Sequence, residues 1–253
     1  MCSRFAQHIN TGMISFQQLL NELKLTVQYH SKLNPAIWHD GKLADEDRKK
    51  LIDLAKKFVD FSAVKQDAIK DIVFTGSSAN FNYTKFSDID VHVLCEPLNI
   101  DQDKLMDKKN EWTKNHPELK MHNYPMEFYI QSPTEHFPDG QGVFSLVKNT
   151  WLIKPVHLDH IDVLEDPKTM TKLEHEIARI NHMIASKDIA EVKAYKHKLS
   201  SQRDAGLHRA GRTGGEFSIE NVVFKELRNR GLVDKLRKHY HSLKGVSDSA
   251  DQK

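Results

Sequence analysis

Asp88 and Asp90 stand one residue apart inside an apolar run, Ile89 to Leu94, roughly ten residues after a Gly76-Ser77 pair that closes a shorter apolar run. In an extended strand, residues i and i+2 share a face, so the two carboxylates project together, away from Ile89 and Val91. Adjacent carboxylates repel and are costly to desolvate unless a cation lies between them. Magnesium suits such hard oxygens and usually keeps waters and substrate phosphates as its other ligands. A second ion would need a further carboxylate. Glu127 is the candidate, inside an alternating run and on the face opposite Met126 and Phe128. Gly76 accepts backbone angles closed to other residues and lets a phosphate approach the main chain. Ser77 offers a hydroxyl and can begin a helix whose free amides face an anion. Each piece also has a plainer reading: a solvated strand end, a surface glutamate on an edge strand, or an ordinary turn.

A second group of candidates lies far along the chain. Arg203, His208, Arg209 and Arg212 share a short segment with Gly206, Gly211, Gly214 and Gly215. Guanidinium forks match phosphate oxygens, and glycines permit close approach. Arg203 and Arg212 are therefore candidate contacts to a triphosphate tail or an acceptor nucleic acid; the alternative is a solvated basic loop. His157, Asp159, His160 and Asp162 look metal-like but fit no zinc spacing. Trp38, Trp112 and Trp151 read as core or interface anchors. Tyr83, between the Gly-Ser pair and the aspartates, reads as a packing residue, with a nucleotide base as the alternative partner for its ring.

These groups need elements to position them. Phe16 to Leu33 has helical spacing, Asp45 to Phe61 a stronger helical stripe with acids crowding its first turn. Ile72–Thr75 and Ile89–Leu94 read as strands, Asp101–Lys114 as a polar helix, and Met121–Gln131 as one further strand. Val143–Val147 and Thr150–Ile153 suggest a hairpin with Lys148-Asn149 at its tip. From Thr171 onward the pattern is helical: Leu173–Ala185, Ile189–Gly206, a helix capped by Ser218 and stopped near Gly231, and Leu232–Leu243. Gly245–Lys253 reads as a frayed tail. The fold class is α+β with a mixed sheet. We divide the chain into a sheet-bearing part with N-terminal helices, residues 1–168, and a helical, basic part, residues 169–253.

Hydrophobic residues make up 39% and charged residues 28% of the 253, which suits a globular protein. The net charge of +2 conceals an asymmetry. Residues 1–170 hold 20 Lys and Arg against 24 Asp and Glu, whereas residues 171–244 hold 16 against 9. An acidic metal site beside a polyanion-binding surface would produce such a split. Only Cys2 and Cys95 are present, no secretory leader is evident, and no run is long enough to span a membrane, so a cytoplasmic location is expected.

Taken in order, Thr75-Gly76-Ser77, Asp88-Ile89-Asp90 and the later Glu127 resemble the nucleotidyltransferase superfamily that includes DNA polymerase β, and look most like its small bacterial and phage members. The close resemblance covers residues 71–131. Thr75 departs mildly from the apolar residue that family places before its glycine, and the third carboxylate comes after an intervening helix. The resemblance implies a nucleotidyltransferase-like core with a helical companion. It also implies transfer of a nucleoside monophosphate from a triphosphate such as ATP to an acceptor hydroxyl. Asp88, Asp90 and Glu127 would serve as catalytic metal ligands and Gly76 and Ser77 as nucleotide-binding residues. Two Mg2+ ions, or Mn2+ in their place, would be the cofactors. The acceptor would be RNA, as a tRNA-like 3′ end, or protein, a small hydroxylated molecule or another nucleotide, with no membrane partner; the basic helical part favours RNA. The competing readings are a catalytically inactive nucleotide- or nucleic-acid-binding module and an antitoxin-like interaction protein.

Overall fold

The structure is a computed structural model that describes residues 25–98, 100–157, 162–211 and 214–250, the last five of these as backbone alone. Helix α1 (Asp45–Phe61) opens with Asp45, Glu46 and Asp47 at its positive end and buries Leu51, Ala55, Phe58 and Val59. Strands β1 (Ile69–Thr75) and β2 (Ile89–Cys95) follow. Helix α2 (Gln102–Asn115) is capped by the Asp101 carboxylate, which accepts from the Asp103 amide. Next come β3 (Lys120–Met121), β4 (Tyr124–Gln131), β5 (Val143–Ser145) and β6 (Thr150–Ile153). Helices α3 (Asp162–Glu165), α4 (Pro167–Ala185), α5 (Ile189–Leu207), α6 (Ile219–Asn229) and α7 (Leu232–Ala250) complete the chain. Asp166, Asp188 and Ser218 cap α4, α5 and α6 through their side chains.

The six strands form one mixed sheet in the order β3-β4-β2-β1-β5-β6. β2 runs antiparallel to β1 and parallel to β4, which fits an α+β fold with helix α2 as the crossover. The even-numbered residues of β4 and the odd-numbered residues of β2 turn inward: Ile89, Val91, Val93, Met126, Phe128 and Ile130 are all buried in one core with α1 and α2. Trp38 and Trp112 belong to that core and Trp151 packs against it. A second core joins Leu173, Ile180, Tyr195, Val223, Leu227 and Leu236 from the later helices.

Three expectations need correction. Met121–Gln131 is not one strand: His122 and Asn123 take positive φ angles of 52° and 69°, turning the chain between β3 and β4. The backbone of Gly245–Ala250 is helical and continues α7, leaving Asp251–Lys253 outside the described residues. Most instructive is Phe16–Leu33. Its first part, residues 16–24, lies outside the described residues, and Leu25–Leu33 contains no helix. There the backbone amides bond to distant partners instead of to the preceding turn. The amides of Thr26 and Val27 donate to Glu226 Oε2 at 2.7 and 3.2 Å, and the Thr26 hydroxyl donates to the same oxygen at 2.8 Å. The His30 amide donates to the Phe81 carbonyl at 2.7 Å, and the His30 ring stacks on Tyr83. Tertiary bonds outweigh a local helical preference worth only tenths of a kcal/mol per residue, on the order of 0.5.

Glu226 is fully buried, and one of its oxygens accepts all three bonds from residues 26 and 27. Replacing it with alanine leaves the buried Val27 amide and the two Thr26 donors without that acceptor. We expect Glu226→Ala to cost about 2–4 kcal/mol, seen as a lower urea midpoint at unchanged slope. A midpoint equal to that of the parent would show that this strap contributes nothing to folding.

Candidate functional site

The face of the sheet away from α1 and α2 forms the floor of a cleft of ≈ 920 Å³. Period-2 alternation puts the polar residues of β2 and β4 there, and the strand register brings them into line. Asp90 lies opposite Glu127, and His92 lies opposite Tyr129. Asp88 stands just ahead of β2, and its carbonyl accepts a bond from the Ser78 hydroxyl at 2.7 Å. Gly76, Ser77, Asp88, Asp90, Glu127 and Arg203 all line this one cleft. Arg212 lies outside the described residues.

Gly76 is required here for a reason that its sequence context did not reveal. It sits at φ 74°, and a Cβ placed on it would meet Asp90 Oδ2 at 1.9 Å. The glycine therefore makes room for the carboxylate itself. The Gly-Ser turn also differs from expectation in form. Ser77–Ala79 is a single 3-10 turn rather than the start of an α-helix, and the Ser77 hydroxyl donates to Ser87 Oγ at 2.8 Å. The turn is held in place by the Trp38 indole N–H on the Ser78 carbonyl and by Asn80 Oδ1, which accepts from the Gly142 amide.

The carboxylates differ in charge state because their surroundings differ. Burial pushes Asp90 up to about 7, and the neighbouring charges of Asp88 and Glu127 push the same way. Burial also raises Asp88, an effect that the Arg228 guanidinium offsets in part. Glu127 goes the other way. Burial would raise it, but the Lys109 ammonium, 2.7 Å away, and the Tyr129 hydroxyl, donating at 2.6 Å, hold it below the usual carboxylate range. Lys109 also donates to the Tyr129 oxygen at 2.8 Å and lies 4.4 Å from the centre of its ring. Arg228, on α6, reaches Asp88 Oδ2 at 3.3 Å. His92 is pushed down to about 4 by burial and holds its ring against the Gln131 amide oxygen.

Lys109, Tyr129 and Arg228 were missed in the sequence. Lys109 sat in a helix read only as polar, and Arg228 in the last turn of a helix read for its Ser218 cap and its stop near Gly231. The spacing of Glu127 and Tyr129 on one strand face was the one available signal.

The glycine-rich segment also corrects an expectation. Gly215 takes φ 62°, and a Cβ there would fall 2.1 Å from the Asp139 carbonyl oxygen. Its close approach is to the protein's own backbone, where the Glu216 amide donates to the Asp139 carbonyl at 3.1 Å. Glu216 then forms a buried ion pair with Lys225 at 2.6 Å and accepts from Asn82 at 2.9 Å. Arg203 sits deeper in the cleft wall. Its Nε donates to Asn221 at 3.3 Å and its guanidinium lies 4.8 Å from the Phe224 ring centre. Of the metal-like cluster His157 to Asp162, Asp159 and His160 lie outside the described residues.

Among the described residues, no three Asp, Glu, His or Cys side chains are grouped closely enough to hold a metal ion unaided. The donor chemistry of the cleft nevertheless fits a divalent cation. Its oxygens are hard, and the carboxyls of Asp88 and Asp90 are raised by burial first and by neighbouring acids second, both of which a cation would offset.

Comparison with known proteins yields two matches. A family model described as a nucleotidyltransferase domain matches residues 54–185. The chain is similar to a solved structure titled as a STING-associated CdnE c-di-GMP synthase from Capnocytophaga granulosa. Identity there is 12%, coverage is 93% of this chain and 90% of the other, and the TM-score is 0.21. No curated protein matches the sequence.

Asp90 gives the site a pH signature. Its native pKa lies above the ordinary carboxylate value, so its contribution to stability is complete only below about pH 4 and is lost as pH rises through about 7. Asp90→Asn removes this penalty. The variant is expected to melt above the parent at pH 8, with the gap widening from pH 4 to pH 7 and then levelling. A gap independent of pH in a melting series would show that Asp90 carries no such strain.

Proposed function

From the premise that this chain belongs to the nucleotidyltransferase domain family, we propose that the cleft binds a nucleoside triphosphate beside Asp88, Asp90 and Glu127. The nucleoside monophosphate passes to an acceptor hydroxyl and pyrophosphate leaves. The observation that carries this reading is the Asp90–Glu127 register, with Gly76 packed against the Asp90 carboxylate. It gathers three carboxylates beside the Gly76-Ser77 turn in one cleft.

Asp88 and Asp90 would hold one Mg2+ and Asp90 with Glu127 a second, or Mn2+ in either place. These ions would neutralise phosphate charge and lower the pKa of the acceptor hydroxyl. The protein's own contribution is positioning and electrostatics, which dominate phosphoryl transfer. The turn at Gly76 and Ser77 presents main chain to the phosphates. Arg203 supplies a guanidinium from the opposite wall, held in orientation by Asn221 and Phe224. Lys109 keeps Glu127 ionised, so the carboxylate stays an acceptor across the neutral range. Arg212 remains a proposed second phosphate contact.

For the acceptor we favour RNA, at a tRNA-like 3′ end, over protein. The excess of basic residues in 171–244 supports that choice. We also propose the division into a catalytic part, residues 1–168, and a substrate-binding helical part, residues 169–253, working in the cytoplasm. No described helix is long and apolar enough to cross a membrane.

The test is incubation with labelled ATP, CTP, GTP and UTP against total RNA and total protein from a bacterial lysate, with Mg2+ present. Label is expected in the RNA fraction. Asp88→Asn and Asp90→Asn should each lower incorporation about a hundredfold or more. Full activity in those variants would remove the carboxylates from the reaction. Arg203→Ala should raise the apparent KM for the triphosphate with a smaller effect on kcat; unchanged kinetics would take Arg203 out of the site.

A further inference from the structure

The two cations that meet the acidic face are held in very different ways. Lys109 is saturated: it contacts Glu127 at 2.7 Å, the Tyr129 oxygen at 2.8 Å, and the face of the Tyr129 ring. Arg228 is not. Its contact to Asp88 is a single bond of 3.3 Å, long for a charge-assisted pair, which normally closes to about 2.7–2.9 Å. Its Nε is buried without a hydrogen-bond partner among the described residues. A buried donor without an acceptor is costly. Arg228 also lines the main cleft together with Gly76 and Ser77, so its guanidinium and the Gly76-Ser77 turn share one space.

We propose that Arg228 is an exchangeable counter-ion. In the nucleotide-free protein it neutralises Asp88. When a divalent ion takes Asp88, the guanidinium turns to the triphosphate oxygens and satisfies the idle Nε there. The inference rests on the function proposed above and adds an order to it: metal and Arg228 compete for Asp88, and the triphosphate resolves the competition. The saturated Lys109–Glu127 pair stays in place. Arg228 sits on α6, across the cleft from Asp88, so the exchange also links loading to the position of that helix.

The test measures Mn2+ binding to nucleotide-free protein from the electron paramagnetic resonance signal of the free ion. It also measures binding of a non-hydrolysable triphosphate analogue by calorimetry. Arg228→Gln is expected to bind Mn2+ about fivefold or more tightly than the parent and the analogue more weakly by a similar factor. Unchanged or weaker Mn2+ binding overturns the proposal. Tighter Mn2+ binding with unchanged analogue affinity overturns it as well, because the arginine then has no second position. Should Arg228→Gln fail to fold by circular dichroism, Arg228→Lys serves. It keeps the charge but loses the fork, so near-parental Mn2+ affinity with weaker analogue binding is expected, and parental analogue affinity would overturn the exchange. Asp88→Asn and Asp90→Asn separate the two levels. Parental Mn2+ affinity in both would remove the acidic metal site itself. Lost affinity in both, with no tightening in Arg228→Gln, would remove only the exchange.

Discussion

Burial of Asp88, Asp90 and Glu127 within reach of one another's charge is the constraint from which the rest of the cleft follows. Three acids on one sheet face, two of them side by side on strands about 5 Å apart, are unfavourable in a half-dry pocket. The fold answers in three ways. Lys109 from the crossover helix fixes Glu127 as an anion. Arg228 from the later helices leans on Asp88. Asp90, central and in no ion pair among the described residues, is pushed up by burial first and by the charges of Asp88 and Glu127 second. A protein selected for stability alone would have no use for this arrangement. On the function proposed above the arrangement is physically sensible, since a triphosphate would bring positive ions with it.

The sheet makes this possible at little cost to its own packing. Alternation sends Ile89, Val91, Met126 and Phe128 into the core while Asp90, His92, Glu127 and Tyr129 face the cleft. The apolar half holds the backbone rigid, so the polar half inherits a fixed spacing. Gly76 completes the geometry by omission, leaving a volume that the Asp90 carboxylate fills.

Much of this was legible in the sequence because it depends on local periodicity. The bounds of α1 came out to the residue, and β2, the β5–β6 hairpin and the Ser218 cap followed from alternation, turn residues and capping chemistry. Asp88, Asp90, Glu127, Gly76, Ser77 and Arg203 were named as candidates and line one cleft. What the sequence concealed is non-local. Residues 25–33 have the spacing of a helix, yet the bonds to Glu226 and Phe81 that displace it come from far along the chain. Lys109 and Arg228 look like any other charges on helix surfaces; only the folded register reveals what they face. The glycines of 214–215 suggested an opening for phosphate, whereas the space they leave is filled by the backbone of Asp139 and Arg209.

The strap at residues 26–30 closes a circuit. From α6, Glu226 grips Thr26; a few residues on, His30 is fastened to Phe81 and Tyr83; that stretch leads to Asp88, which meets Arg228 and so returns to α6. A circuit of this kind has two joints between the same partners, one ionic and easily parted, the other built of several amide bonds. Loss of the ionic joint alone would leave α6 tied to residues 26 and 27 through Glu226, so the two joints are redundant in fastening that helix to the sheet-bearing part.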